Sequence, residues 1–100
     1  MQELTHYIGG AHVKGTSGRF ADVYNPATGE VQAKVPLATA AEMDKAVKIA
    51  AAAQPAWAAV NPQRRARVMM KFVTLLNRDM DKLAEALSRE HGKTLPDAAG

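Results

Sequence analysis

Apolar and polar positions fall into two regimes along this chain. At the front, short β-prone runs are broken by glycine; farther on, apolar residues recur at helical spacing. His6-Tyr7-Ile8 and His12-Val13-Lys14 flank Gly9-Gly10-Ala11. Glycine reaches positive φ without a Cβ penalty, so this arrangement predicts a hairpin. Gly15-Thr16-Ser17-Gly18 reads as a flexible loop. Phe20-Ala21-Asp22-Val23-Tyr24 reads as a strand and Asn25-Pro26-Ala27-Thr28-Gly29 as a turn. Val31-Gln32-Ala33-Lys34-Val35 alternates with the period of a strand that buries one face, which completes a second hairpin.

Helices follow. Thr39-Ala40-Ala41-Glu42 has the form of a capping box, and Met43, Ala46, Val47 and Ala50 make one apolar face behind it. Pro55 is expected to end that helix. Asn61-Pro62 starts another, with Asn61 as cap and Pro62 in the first position. Val68, Met69, Phe72, Leu75 and Leu76 form its stripe expected to be buried; Arg64, Arg67, Lys71, Thr74 and Arg78 form its wet stripe. A third helix runs from about Asp79, with Met80, Leu83, Ala84 and Leu87 inward, and His91-Gly92 closes it. Thr94-Leu95-Pro96-Asp97 has the features of a fourth helix start with little helix after it. The chain is therefore expected to be the front piece of a longer protein. The fold class is α/β: two N-terminal β-hairpins, three amphipathic helices and the start of a fourth.

Composition narrows the function classes. The 100 residues carry 13 Lys and Arg against 10 Asp and Glu, a net charge of +3, short of a dedicated nucleic-acid binder. There is no cysteine, so these residues hold no disulfide, thiolate metal site or thiol nucleophile. No apolar run approaches the ~18 residues of a membrane span, and Met1-Gln2-Glu3-Leu4-Thr5-His6 lacks a signal-peptide pattern. A cytoplasmic protein with neither nucleic-acid nor membrane partners is expected.

Candidate chemistry is sparse. Gly10-Ala11-His12-Val13-Lys14-Gly15-Thr16-Ser17 looks like half a phosphate loop, but Thr16 stands where its lysine should be. Gly92-Lys93-Thr94 has the tail of that motif, with Leu87 where the first glycine should be. Turns and helix boundaries explain both. His6, His12 and His91 lack zinc-ligand spacing. Arg64-Arg65-Ala66-Arg67 could meet phosphate but reads as a solvated helix face. Trp57 could mark an interface, and a plug between two helices is the commoner use of such a residue.

Several stretches together resemble the aldehyde dehydrogenase superfamily. His6-Tyr7-Ile8-Gly9-Gly10 is similar to its first strand, and Val23-Tyr24-Asn25-Pro26-Ala27-Thr28-Gly29-Glu30-Val31 to its second hairpin. Asp44-Lys45-Ala46-Val47 and Pro55-Ala56-Trp57 fall at its first helix and the Trp segment after it. Ser17-Gly18-Arg19-Phe20, Asn61–Met69 and Glu90–Ala98 resemble its CoA-acylating methylmalonate-semialdehyde branch. Val60 and Ala99 depart from that pattern, where Thr and Lys are expected.

The resemblance implies an NAD-binding subunit of three parts that assembles as a homo-oligomer, a homotetramer by the family pattern. This chain would be the N-terminal part of its nucleotide-binding domain, covering residues 1–100, with the remainder of the same subunit as its partner. It implies a cysteine thiolate that attacks a semialdehyde, hydride transfer to NAD, loss of carbon dioxide and capture of the acyl group by CoA. The motifs for these steps lie outside these residues, so no catalytic, cofactor-binding or metal residue is assigned here. Two other readings stay open at this point. One is a small binding module that uses Arg64, Arg67 and Lys71 on an anionic partner. The other is a non-catalytic oligomerisation piece.

Overall fold

The computed structural model describes residues 2–100. Its elements run in the order β1 (Gln2–Glu3), β2 (His6–Ile8), β3 (Ala11–Val13), β4 (Phe20–Tyr24), β5 (Val31–Pro36), α1 (Ala40–Ala58), α2 (Pro62–Arg78), α3 (Met80–His91) and α4 (Leu95–Ala99). They form two compact units. One holds residues up to Tyr24 together with Val31–Ala59; the other holds Asn25–Glu30 and Val60–Gly100.

In the first unit both expected hairpins are present. β2 and β3 pair antiparallel with His6 opposite Val13 and Ile8 opposite Ala11. Gly9 and Gly10 take φ of 63° and 80° at the reversal. Two consecutive positive φ values make a turn whose twist matches that of the strands. β4 and β5 pair antiparallel, with an irregularity at Val23/Tyr24. A strand that no alternation announced adds to this sheet: β1 runs parallel to β5, with Gln2 opposite Ala33. The sheet order is β1-β5-β4, and the central strand carries the buried Ala33 and Pro36.

The stretch 15–18 is not the free loop that its glycines suggest. The Ser17 hydroxyl donates to the Leu37 carbonyl and accepts from Arg19 N–H at 3.0 Å. The Arg19 guanidinium donates to the Ala38 carbonyl at 3.3 Å. A Cβ on Gly15 would lie 2.9 Å from Pro36 Cβ, so glycine is there for close approach.

Helix α1 also departs from expectation, because Pro55 lies inside it and does not end it. Proline removes one intrahelical bond, yet its fixed φ is itself helical. Downstream, Ala59 N–H still reaches the Pro55 carbonyl at 3.0 Å. The alanines around it favour helix strongly enough to carry the chain one more turn. Trp57 on that turn is 44% exposed.

In the second unit, Asn61 caps α2 by accepting from Gln63 N–H at 2.8 Å, with Pro62 in the first position. Asp79 both closes α2 and opens α3. Gly92 ends α3 in the left-handed conformation, φ 87°, and its N–H donates to the Ser88 carbonyl at 2.7 Å. Helix α4 begins after Thr94 with Pro96 in its first turn, though the Thr94 side chain makes no capping bond. The Asn25–Glu30 turn belongs to this unit: a Cβ on Gly92 would meet Pro26 Cγ at 3.0 Å.

The stripe expected to be buried on α2 is open. Val68, Met69 and Phe72 are about half exposed, Leu75 less so, and only Leu76 is half-buried. On α3 Ala84 alone is buried, whereas Leu83 and Leu87 stay exposed. Met43 and Val47 of α1 are likewise open. The periodicity identified the apolar faces correctly; these residues by themselves do not cover them.

Candidate functional site

Two constellations stand out, one in each unit. In the first unit, Glu42 is the hub. Its Oε1 accepts from Thr39 N–H at 3.0 Å, and its own N–H donates to the Thr39 hydroxyl at 3.0 Å. This is the reciprocal capping box read from the sequence. The second oxygen does what no local pattern announced. Oε2 accepts from Thr16 N–H at 3.2 Å and lies 3.7 Å from His6 Nε2. Donation from Thr39 N–H, then from Thr16 N–H, holds the Glu42 carboxyl below its ordinary value against the opposing effect of desolvation. His6 Nε2 is buried and has no hydrogen-bond partner.

One carboxylate thus joins the β2 strand, the 15–18 loop and the start of α1. Beside it, Ile8, Val13, Lys14, Thr16, Lys45 and Ile49 line a recess of about 350 Å³. Nothing in this set is a nucleophile with a base, and among the described residues no three acidic, His or Cys side chains group as metal ligands. The arrangement fastens structure. His12 pairs elsewhere: its Nδ1 meets the Thr5 hydroxyl at 3.0 Å, and its ring stands edge-on to Tyr7.

In the second unit, the notable feature is a shallow groove of about 420 Å³ along α2, lined by Arg67, Val68, Lys71, Phe72 and Leu75. Its wall is almost wholly carbon, edged by two cations. The wet and apolar stripes read from the sequence therefore adjoin. At the end of α2 the Arg78 guanidinium grips Asp79 through two bonds, at 3.0 and 2.9 Å. Each raises or lowers the other accordingly: Arg78 upward, and the Asp79 carboxyl below its ordinary value.

Among the described residues no helix is long and apolar enough to cross a membrane. The phosphate-loop fragments resolve into structure: Gly9-Gly10 turns a hairpin, 15–18 is strapped down, and Gly92 stops a helix.

The pattern that defines the aldehyde dehydrogenase family matches residues 12–100. The chain belongs to the aldehyde dehydrogenase family. It is 47% identical over 100 residues to the malonate-semialdehyde dehydrogenase of Pseudomonas aeruginosa, covering 100% of this chain and 20% of that protein. It is 48% identical over 97 residues to the acylating mitochondrial methylmalonate-semialdehyde dehydrogenase of Arabidopsis thaliana, covering 97% of this chain and 16% of that protein. A crystal structure described as a methylmalonate-semialdehyde dehydrogenase of Sinorhizobium meliloti 1021, complexed with NAD, superposes with a TM-score of 0.94. It is 64% identical and covers 100% of this chain and 20% of that one. The chain thus spans about a fifth of the length of these relatives.

The starts of α1, α2 and α3 lack the features of a phosphate cradle for the NAD that such a family implies. A dinucleotide wants a helix N-terminus with free N–H groups facing its phosphates. Helix α1 carries Glu42 in its first turn and α3 carries Asp81, both repulsive to phosphate. Helix α2 opens on Pro62, which has no N–H, and Asn61 already takes the N–H of Gln63.

Proposed function

We propose that this chain is the front part of the nucleotide-binding domain of an NAD-dependent, CoA-acylating methylmalonate- or malonate-semialdehyde dehydrogenase. The observation that carries this reading is the likeness across the whole chain to proteins of that name, 64% identical in the solved structure cited above. The name of the Arabidopsis relative includes acylation, which supports CoA as the acceptor. The overall reaction joins the semialdehyde, CoA and NAD and yields propionyl-CoA or acetyl-CoA, carbon dioxide and NADH. The present residues contribute a fastened N-terminal sheet and apolar helix faces; the thiol nucleophile and the NAD contacts belong to the rest of the subunit. A cytoplasmic setting and a homo-oligomeric enzyme are part of the same proposal.

The test is turnover by the intact subunit that carries this segment. Malonate or methylmalonate semialdehyde with NAD and CoA should give NADH and an acyl-CoA in equal amounts. The 100-residue chain alone should give none, because binding elements cannot replace a missing nucleophile. An intact subunit that oxidises other aldehydes but releases a free acid from these two would overturn the assignment. So would NADH formation by the short chain.

A further inference from the structure

We propose that His6 and Glu42 form a proton-operated clasp. When the His6 ring takes up a second proton, its Nε2–H closes onto Glu42 and fastens the β2–β3 hairpin and the 15–18 stretch to the start of α1.

Geometry supplies the parts. His6 Nε2 is buried and has no hydrogen-bond partner, an uncommon state for a ring nitrogen. It lies 3.7 Å from Glu42 Oε2, beyond a hydrogen bond and within reach of an ion pair. The two side chains are 19% and 15% exposed, so salt and water screen them little. Gly15 crowds the same nitrogen: a Cβ there would lie 3.3 Å from Nε2. Glu42 Oε2 also accepts from Thr16 N–H at 3.2 Å, so whatever steadies this carboxylate steadies the 15–18 stretch as well.

Chemistry sets the direction. Donation from Thr39 N–H, then from Thr16 N–H, holds the Glu42 carboxyl below its ordinary value, so it is an anion at neutral pH. A bare Nε2 lone pair facing that anion is repelled; an Nε2–H is attracted, most strongly when the ring is a cation. Burial alone opposes a cation, and the carboxylate is the opposite charge that offsets it. The cation gains this partner only while the clasp is shut. Shutting therefore takes up a proton, and a falling pH favours the shut form. The other titratable groups around the ring do not share this range. Lys45 of α1 and Lys14 after β3 line the recess beside Glu42, and Tyr7 follows along β2. Lysine and tyrosine side chains change charge far above the histidine range. His12 of β3 stands opposite Tyr7, and its Nδ1 is taken by the Thr5 hydroxyl.

Amide hydrogen exchange in the intact subunit tests this, read by mass spectrometry at Thr16 and divided by the intrinsic exchange rate at each pH. Protection of the Thr16 amide should rise about threefold as the pH falls from about 8 to about 5.5. His6→Gln keeps a polar side chain that does not titrate, and it should flatten this rise. Glu42→Gln removes the charge that His6 answers to and should flatten it too, which keeps the test alive if His6→Gln does not fold. His12→Gln, on the neighbouring strand, should leave the rise in place. A flat wild-type profile overturns the proposal without any variant. A rise that survives His6→Gln or Glu42→Gln, or that disappears in His12→Gln, overturns it as well.

Discussion

The capped start of α1 and the open face of α2 solve opposite problems. Around Glu42, polar groups from separated stretches meet: Thr16 N–H and Thr39 N–H donate to its two oxygens, and the His6 ring lies 3.7 Å away. Hydrogen bonds are short-ranged and directional, so a few residues satisfy both Glu42 oxygens, although the buried His6 Nε2 beside them accepts or donates no hydrogen bond. Along α2 the unsatisfied quantity is apolar area, and area needs a facing layer. The described residues supply no such layer for Val68, Phe72 and Leu75. The carboxylate of the polar junction is satisfied within the chain; the apolar face is left open by the described residues. The difference lies in what each interaction requires and not in helix quality, since both helices carry proper N-caps.

The largest expected effect tests that contrast directly. Phe72→Ala should cost about 3–5 kcal/mol in the intact subunit, where a cavity would remain behind it. In the isolated chain the same change should shift stability by about 0.5 kcal/mol or less, as at a surface site. Denaturant unfolding of both forms measures the gap, and equal effects would erase the distinction. The isolated chain should also lack a sharp cooperative melt, because its exposed apolar area exceeds what a small core offsets.

Next comes the helix boundary in the second unit. Gly92→Ala must hold φ near 87° and bring a Cβ to 3.0 Å from Pro26 Cγ. The left-handed backbone alone makes this cost about 1–2 kcal/mol. Gly10→Ala meets only the backbone term, since nothing lies within 4 Å of that Cβ. A thermal shift as large for Gly10 as for Gly92 would remove Pro26 from the argument.

On the polar side, Thr39→Ala should cost about 1 kcal/mol through the lost cap. Glu42 adds a pH signature. Its carboxyl is held below the ordinary value in the folded state, so its contribution is present at neutral pH. That contribution is lost as the pH falls through the folded value. Glu42→Gln should flatten this acid limb of the stability profile, measured by unfolding at a series of pH values. An unchanged limb would mean that the junction does not depend on charge. The smallest effect is expected at Arg64, outside the groove lining: Arg64→Gln should change stability by about 0.5 kcal/mol or less.

Much of the fold was written locally. Gly9-Gly10 needs only its own φ freedom to turn a hairpin, and Thr39 with Glu42, Asn61 with Pro62 and Gly92 need only their neighbours to mark helix ends. The motifs that resemble the aldehyde dehydrogenases are of the same kind, since they occupy turns and caps as often as faces. Interactions across sequence distance were not legible. Gln2-Glu3 has no apolar pattern and becomes a strand only because β5 offers a parallel edge. Gly15–Gly18 looks loose until Ser17 meets Leu37 and Thr16 meets Glu42. Pro55 reads as a helix stop, yet the helical backbone continues to Ala58. The sequence determined which faces are apolar, because periodicity is a property of one element. Whether a face is buried depends on what lies opposite, and only the tertiary structure decided that: Ala84 is covered, while Phe72 is left open.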